Sequence, residues 1–231
     1  MSPARRITLS AVFAALAFAT MSVFRFNVQF LTFDLKDTII TISGLLLGPL
    51  TALTISLLTA LLELITVSDT GWYGFLMNFA SSATFSVVCA VVYRYNKKLW
   101  GAIVGLASAV VALVAVMLGL NLVVTPLYQG VPRSVVVDLI PTLFLPFNMV
   151  KGMANAALVL ILYKPVHRAM QAARLLPKPH TPDTEGAGDP AKKKNRLLNS
   201  ILILLGGLLI LAAAVAVFYF VLDGHIEIFR S

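Results

Sequence analysis

Seven apolar runs, at about 7–24, 38–47, 50–67, 73–93, 99–124, 139–163 and 197–222, follow one another along the chain, most of them separated by short polar gaps. A run of roughly 20 apolar residues coiled as a helix matches a bilayer core of about 30 Å, where every backbone donor and acceptor must be satisfied within the segment. No ten-residue segments of alternating hydrophobicity, the signature of membrane barrel strands, are present. Charged residues are 12% of the 231 and hydrophobic residues 59%, whereas a soluble domain carries about 25% charge. The chain reads as an all-α polytopic membrane protein. The second run is short and is cut from the third by Gly48-Pro49, a turn signal, so 38–67 is expected to be a helical hairpin. Pro177 to Arg196 is rich in Pro, Gly, Asp and Lys, the composition of a flexible linker. The expected organisation is a six-helix membrane domain over 1–174, a polar cytoplasmic linker over 175–196, an additional transmembrane helix over 197–222 and a short external tail over 223–231.

The formal net charge of +8 does not point to nucleic acid, because the basic residues sit in the gaps between apolar runs. With the N-terminus cytoplasmic, thirteen Lys and Arg fall on that side and four (Arg25, Lys36, Arg133 and Arg230) on the other, leaving Lys151 within a span. That asymmetry fits the positive-inside rule and puts the C-terminus outside after seven spans. Asp34, Asp37, Asp69, Asp138, Asp223 and Glu227 are then expected outside. Arg5-Arg6 before an apolar run and Ala17-Phe18-Ala19 is also the pattern of a cleaved signal peptide, but the first run reads as a retained helix. Cys89, the only cysteine, lies in an apolar run and reads as a small buried hydrophobe.

The last run before the linker contains Pro146-Phe147-Asn148-Met149-Val150-Lys151-Gly152. A lysine at the centre of a span costs about 2.5–3.5 kcal/mol on insertion scales, so it is by default a functional candidate. On a helix Asn148, Lys151 and Asn155 share one face and would present two amides and one donor-only group to a common object. A structural ion pair is weakened as an explanation because no acid stands at a clear mid-membrane position. An ion relay is weakened because His167, His180 and His225 lie outside the apolar cores. A neutral ligand with polar edges fits best. The segment Asn27 to Asp37 alternates Phe and Leu with polar residues, and it has two readings: a lid over a cavity, or an amphipathic interfacial loop. Asn121, before Pro126-Leu127-Tyr128, is read as a helix cap, an interhelical hydrogen bond or a ligand contact. Glu63 is expected near the outer end of its run as a structural or lid-facing charge.

Taken together, Leu31 to Asp37, Gly48-Pro49, Asn121 with Pro126-Leu127-Tyr128, and Pro146 to Gly152 resemble the riboflavin-specific substrate-binding (S) component of energy-coupling factor (ECF) transporters, over about residues 5–170. The resemblance implies a six-helix bundle holding the vitamin near its external face beneath the loop after the first helix. It implies that Asn121, Asn148 and Lys151 hydrogen-bond the isoalloxazine ring, with Leu31, Phe33 and Asp34 contributing from the loop. It also implies docking of an energy-coupling transmembrane subunit on small residues of the first helix, here Ala11, Ala15 and Ala19, and two ABC-type ATPase subunits as further partners. The chain has no phosphate-binding Gly-x-x-x-x-Gly-Lys-Ser/Thr loop with which to hydrolyse ATP itself. No cofactor or metal is expected, riboflavin being the transported ligand, and the seventh run is not required by the family pattern. The alternatives are an S component for another vitamin or a flavin analogue, and an intramembrane protease or acyltransferase. The enzyme is disfavoured because the sequence places no histidine, paired carboxylates or metal-ligand cluster within the spans.

The distribution of basic residues gives a first test. In a cysteine-free background, a cysteine replacing Lys97 is expected to be shielded from an impermeant thiol reagent applied to intact cells, and one replacing Asp69 to react. The opposite labelling pattern inverts the topology.

Overall fold

The computed structural model describes residues 2–68, 70–176, 201 and 205–216. Helix α1 (Pro3–Val23) opens with Ser2, whose hydroxyl accepts the Arg5 N–H, and with Pro3 in the first turn, where its missing N–H costs nothing. A two-stranded antiparallel hairpin follows, β1 (Phe26–Val28) and β2 (Leu31–Phe33), with Val28 opposite Leu31 and Gln29 at positive φ in the turn. Then come α2 (Lys36–Leu47), α3 (Pro49–Thr66), α4 (Gly71–Tyr95) and α5 (Leu99–Gln129). A short α6 (Arg133–Leu139) passes through a π turn (Ile140–Phe144) into α7 (Leu145–Ala172). The Leu145 N–H reaches back to the Ile140 carbonyl. This wider turn relieves the clash that the Pro146 ring would make with the preceding turn of an α-helix, and it rotates the faces that follow.

Five stretches are long and apolar enough to cross a membrane: α1, α3, α4, α5 and the continuous segment Arg133–Ala172. With 12 residues, α2 is about 18 Å long and falls short of the ~30 Å hydrocarbon core. The bundle resolves this by enclosing it. α2 packs against α1, α3, α4 and α7, and eight of its residues, from Lys36 to Gly44, are buried. Gly44 permits the approach, since a Cβ there would lie 2.9 Å from the Ala52 Cβ and 3.1 Å from that of Ala90. The expected break between α2 and α3 falls at Gly48, whose φ of +106° suits a glycine. The main core joins Leu9, Phe13 and Ala17 of α1 with Ile40, Ile42, Ile55, Phe85, Cys89, Leu106, Leu113 and Val159, so Cys89 is the buried hydrophobe its sequence context implied.

The helices define two ends. At one, the Arg6 guanidinium donates to the Leu47 carbonyl (3.0 Å) and to Thr51 Oγ1, and Tyr93 meets Tyr163 at 3.1 Å. This end carries the α2–α3 turn and the α4–α5 loop. At the other lie the hairpin, the α3–α4 loop and the end of α5, joined by Arg25 Nη1 to the Val67 carbonyl (3.0 Å) and by contact of Phe30 with Tyr128.

Two expectations change. Asp34, Lys36 and Asp37, read as residues of an external loop, are 0%, 1% and 1% exposed. α2 begins at Lys36 and draws them into the bundle, where carboxylates and ammonium groups neutralise one another. The segment over 197–222, read as an anchor that need not touch the bundle, is helical over Leu205–Ala216 (α8) and packs on it. A Cβ on Gly207 would lie 2.8 Å from Ile161 Cγ1 of α7, and Ala214 joins a second apolar cluster with Val28, Phe33, Phe144 and Phe147. The linker over 177–196, the tail over 223–231, Asp69, His180 and His225 lie outside the described residues.

Candidate functional site

A cavity of about 260 Å³ lies beneath the hairpin, bounded by α3, α4, α5 and α7. Of the two readings of the 27–37 segment, the hairpin has the placement of a lid: Asn27, Phe30, Leu31 and Thr32 line the cavity. Its tip is held by aromatic contacts, with Phe30 against Phe144 (5.9 Å between ring centres) and Tyr128 (6.3 Å), and Tyr128 in turn beside Tyr73 (6.2 Å). Edge-to-face contacts of this kind are worth about 0.5–1.5 kcal/mol beyond the area they bury.

Polar groups enter from the helices. Asn121, Asn148 and Lys151 all line the cavity. The Asn121 side chain is held within its own helix, its amide donating to the Met117 carbonyl (2.8 Å) and its Oδ1 accepting from Thr125 Oγ1 (2.8 Å); it is not a cap. Asn148 spends one amide hydrogen on the Phe144 carbonyl (2.8 Å), which leaves its Oδ1 and a second hydrogen for a ligand. Lys151 Nζ donates to Asp34 Oδ2 at 3.1 Å, leaving two further donors. Two other buried polar atoms of the cavity lining, Arg25 Nε and Ser81 Oγ, make no hydrogen bond among the described residues.

Behind the cavity stands a chain of ion pairs. Asp34 Oδ2 accepts from both Lys151 Nζ and Lys36 Nζ (2.9 Å), Lys36 Nζ also donates to Glu63 Oε2 (3.1 Å), and Glu63 Oε1 accepts from Asn78 Nδ2 (2.8 Å). Asp34 Oδ1 is further bound by the Lys36 backbone N–H (3.2 Å). Asp37 accepts from Ser82 Oγ.

This arrangement corrects the sequence reading at several points. An acid does neutralise Lys151: it comes from the lid, 117 residues away, and the structural ion pair discounted from the sequence is the one Lys151 makes. Carboxylates do gather inside the bundle, but Asp34 and Glu63 are bound to lysines and Asp37 to a serine. No cluster of three or more metal-binding side chains occurs among the described residues. Asn155 does not join Asn148 at the cavity. Its Oδ1 takes the Thr38 N–H (2.9 Å) and hydroxyl (2.7 Å), and its Nδ2 reaches the Asp34 carbonyl (3.4 Å), so it fixes the start of α2. Leu31 lines the cavity, whereas Phe33 packs on Phe147 (6.3 Å, 89°) and Asp34 sits one layer back. Glu63 is 2% exposed and lines the cavity while binding Lys36. Arg25, Tyr73, Met77, Asn78 and Ser81 also line the cavity without having been singled out. Asn78 carried a signal, an amide inside an apolar run.

On α1, Ala11, Ala15 and Ala19 are exposed along one face, while Leu9, Phe13, Ala14, Ala17 and Met21 face the bundle.

Removing one member of a buried pair leaves an uncompensated charge and costs about 3–5 kcal/mol. Asp34→Asn is therefore expected to lower the thermal unfolding midpoint of the purified protein sharply, and Asp34→Asn combined with Lys151→Met to recover part of the loss. A double variant no more stable than Asp34→Asn alone would show that the Asp34–Lys151 pair is not the source of the cost.

A family profile described as "ECF transporter, substrate-specific component" matches residues 5–166. Among solved structures, the one described as "Structure and mechanism of the S component of a bacterial ECF transporter" is similar to this chain with a TM-score of 0.63 and 23% identity, over 74% of this chain and 99% of that one. No curated protein is significantly similar to the chain.

Proposed function

The chain belongs to the substrate-specific components of ECF transporters, and on that premise we propose that the cavity beneath its lid binds riboflavin for uptake. Members of this family are multi-pass membrane proteins that bind substrate for transport and are not enzymes; they work with a module of ABC-type ATPases and a transmembrane coupling subunit. The observation that carries the flavin reading is the pairing of aromatic walls with the free groups of Asn148 and Lys151. The pyrimidine edge of an isoalloxazine ring alternates carbonyl acceptors with an N–H donor. Asn148 Oδ1 suits the N–H, while Lys151 Nζ and the remaining amide hydrogens of Asn148 and Asn121 suit the carbonyls. Because Asp34 balances Lys151, the site asks for a ligand without net charge at that edge. Arg25 Nε and Ser81 Oγ offer further hydrogen bonds to a hydroxylated side chain. In this reading the lid faces the outside, the N-terminus is cytoplasmic, and the segment over 223–231 is external.

Titration of flavin fluorescence tests the assignment. Asn148→Leu is expected to weaken binding by about 1–3 kcal/mol through loss of buried hydrogen bonds, without altering the absorbance maximum of bound flavin greatly. An unchanged affinity removes Asn148 from the site. A folded wild-type protein that binds no flavin, and is colourless when purified from cells, assigns the cavity to a different vitamin.

Transport would require the coupling subunit, for which the exposed Ala11, Ala15 and Ala19 face is the proposed docking surface, since small residues let a second helix approach closely. Ala15→Trp is expected to abolish co-purification with the coupling subunit and uptake while leaving flavin affinity within about twofold, Ala15 being on the outer face. Retained co-purification moves the docking surface elsewhere on the bundle.

A further inference from the structure

The basic end of the bundle holds a second crevice, of about 440 Å³, between the α2–α3 turn and the last turn of α4. One wall is apolar, formed by Leu45, Leu46, Leu47 and Leu50, with Leu50 72% exposed on the outer surface. The rim is basic, formed by Arg6, Arg94 and Lys97. The ion pairs found among the described residues all belong to the buried chain around Asp34, and Arg94 and Lys97 are exposed with no acidic partner among those residues. Arg6 is steered to the crevice by its Nε and Nη2 bonds to Thr51 and to the Leu47 carbonyl, which leave the Nη1 donors uncommitted among the described residues. Across α4, Tyr93 is anchored to the Lys97 carbonyl (3.4 Å) and to Tyr163, fixing the backbone that carries Arg94 and Lys97.

The depth of the crevice follows from the aromatic residues beside it. Tyr95 and Trp100, 88% and 71% exposed, flank the loop that carries Lys97 and Lys98. Exposed Tyr and Trp at helix ends mark the level of the lipid headgroups. A basic rim at that level, beside partly buried Leu45, Leu46 and Leu47 and the outward-facing Leu50, sets two surfaces of opposite character next to one another. Small anions in solution use only the first of them. An amphiphile uses both, and basic pockets between transmembrane helices are a recurrent setting for anionic headgroups. We propose that this crevice is a binding site for an anionic phospholipid, its phosphate among Arg6, Arg94 and Lys97 and its acyl chains along the leucine wall. Such a lipid clamps the start of α1, the α2–α3 turn and the end of α4 together at the end of the bundle remote from the ligand cavity. The proposal does not depend on which vitamin occupies that cavity.

The test is native mass spectrometry of the full-length protein released from neutral detergent micelles doped with phosphatidylglycerol or phosphatidylcholine. Preferential retention of phosphatidylglycerol by the wild type is expected. Arg94→Gln with Lys97→Gln is expected to weaken it about thirty-fold, roughly fivefold per basic residue at the membrane surface. Arg168→Gln with Arg174→Gln, which removes equal charge from exposed positions outside the crevice, is expected to leave retention unchanged. An unaltered unfolding midpoint in phosphatidylcholine micelles, together with recovery of retention in Arg94→Lys with Lys97→Arg, separates loss of the site from loss of the fold. Equal retention of the two lipids by the wild type, or an equal loss in both Gln double variants, overturns the proposal. Displacement of the lipid by millimolar inorganic phosphate overturns it in favour of a free-anion site. Undiminished lipid retention with lost co-purification of the coupling subunit would instead make the crevice a protein-docking surface.

Discussion

Asp34 is the residue on which the arrangement of this bundle turns. A single carboxylate oxygen receives both Lys36 and Lys151, so the lid, the first turn of α2 and the second turn of α7 are tied at one point, and Lys36 extends the tie to Glu63 on α3. Buried charges of this kind contribute little net stability compared with a well-packed apolar core, because desolvation offsets most of their attraction. What they contribute is position. Each lysine has a small set of oxygens that can neutralise it, and a lid docked in another register would leave an ammonium group without one. The backbone bonds of Asn155 to Thr38 and Asp34 reinforce the same register from α7.

The short α2 follows from this constraint. A helix of 12 residues carrying two charged side chains at its start has no stable place facing lipid. Surrounded by α1, α3, α4 and α7, it is screened from the hydrocarbon on nearly every side, and its polar start meets carboxylates and an amide supplied by its neighbours. Close approach at Gly44 and the turn at Gly48 are the covalent conditions for that enclosure.

The cavity beneath the hairpin sits on the lid side of the ion-pair chain. Lys151 is shared between the two: its Nζ holds the lid loop through Asp34, and its side chain also lines the cavity. If the proposed ligand bonds Lys151, lid position and ligand recognition are coupled through one ammonium group. Separation of Asp34 from Lys151 would leave a buried ammonium group without its carboxylate, a cost that holds the lid in place. The π turn leads directly into α7, on which Asn148 and Lys151 are buried.

By itself the sequence determined the membrane-spanning helical class, the break at Gly48-Pro49 and the candidacy of Asn121, Asn148 and Lys151, because hydropathy, turn chemistry and an amide or amine in an apolar run are local properties. For the 27–37 segment it left two readings, a cover and an interfacial loop. Which charges belong inside became visible in the packed bundle. Asp34 and Lys36 read as loop residues because polar residues just outside an apolar run are ordinarily solvated, and their partners, 117 and 27 residues distant, are invisible to any local pattern. Asn155 shares the helical face of Lys151 but lies further along α7, level with the start of α2, so backbone groups of that helix claim it before a ligand can. The packing of α8 was likewise beyond the sequence: Gly206-Gly207 permits close contact without naming a partner, and the groove beside Ala157 and Ile161 exists only once α7 is in place.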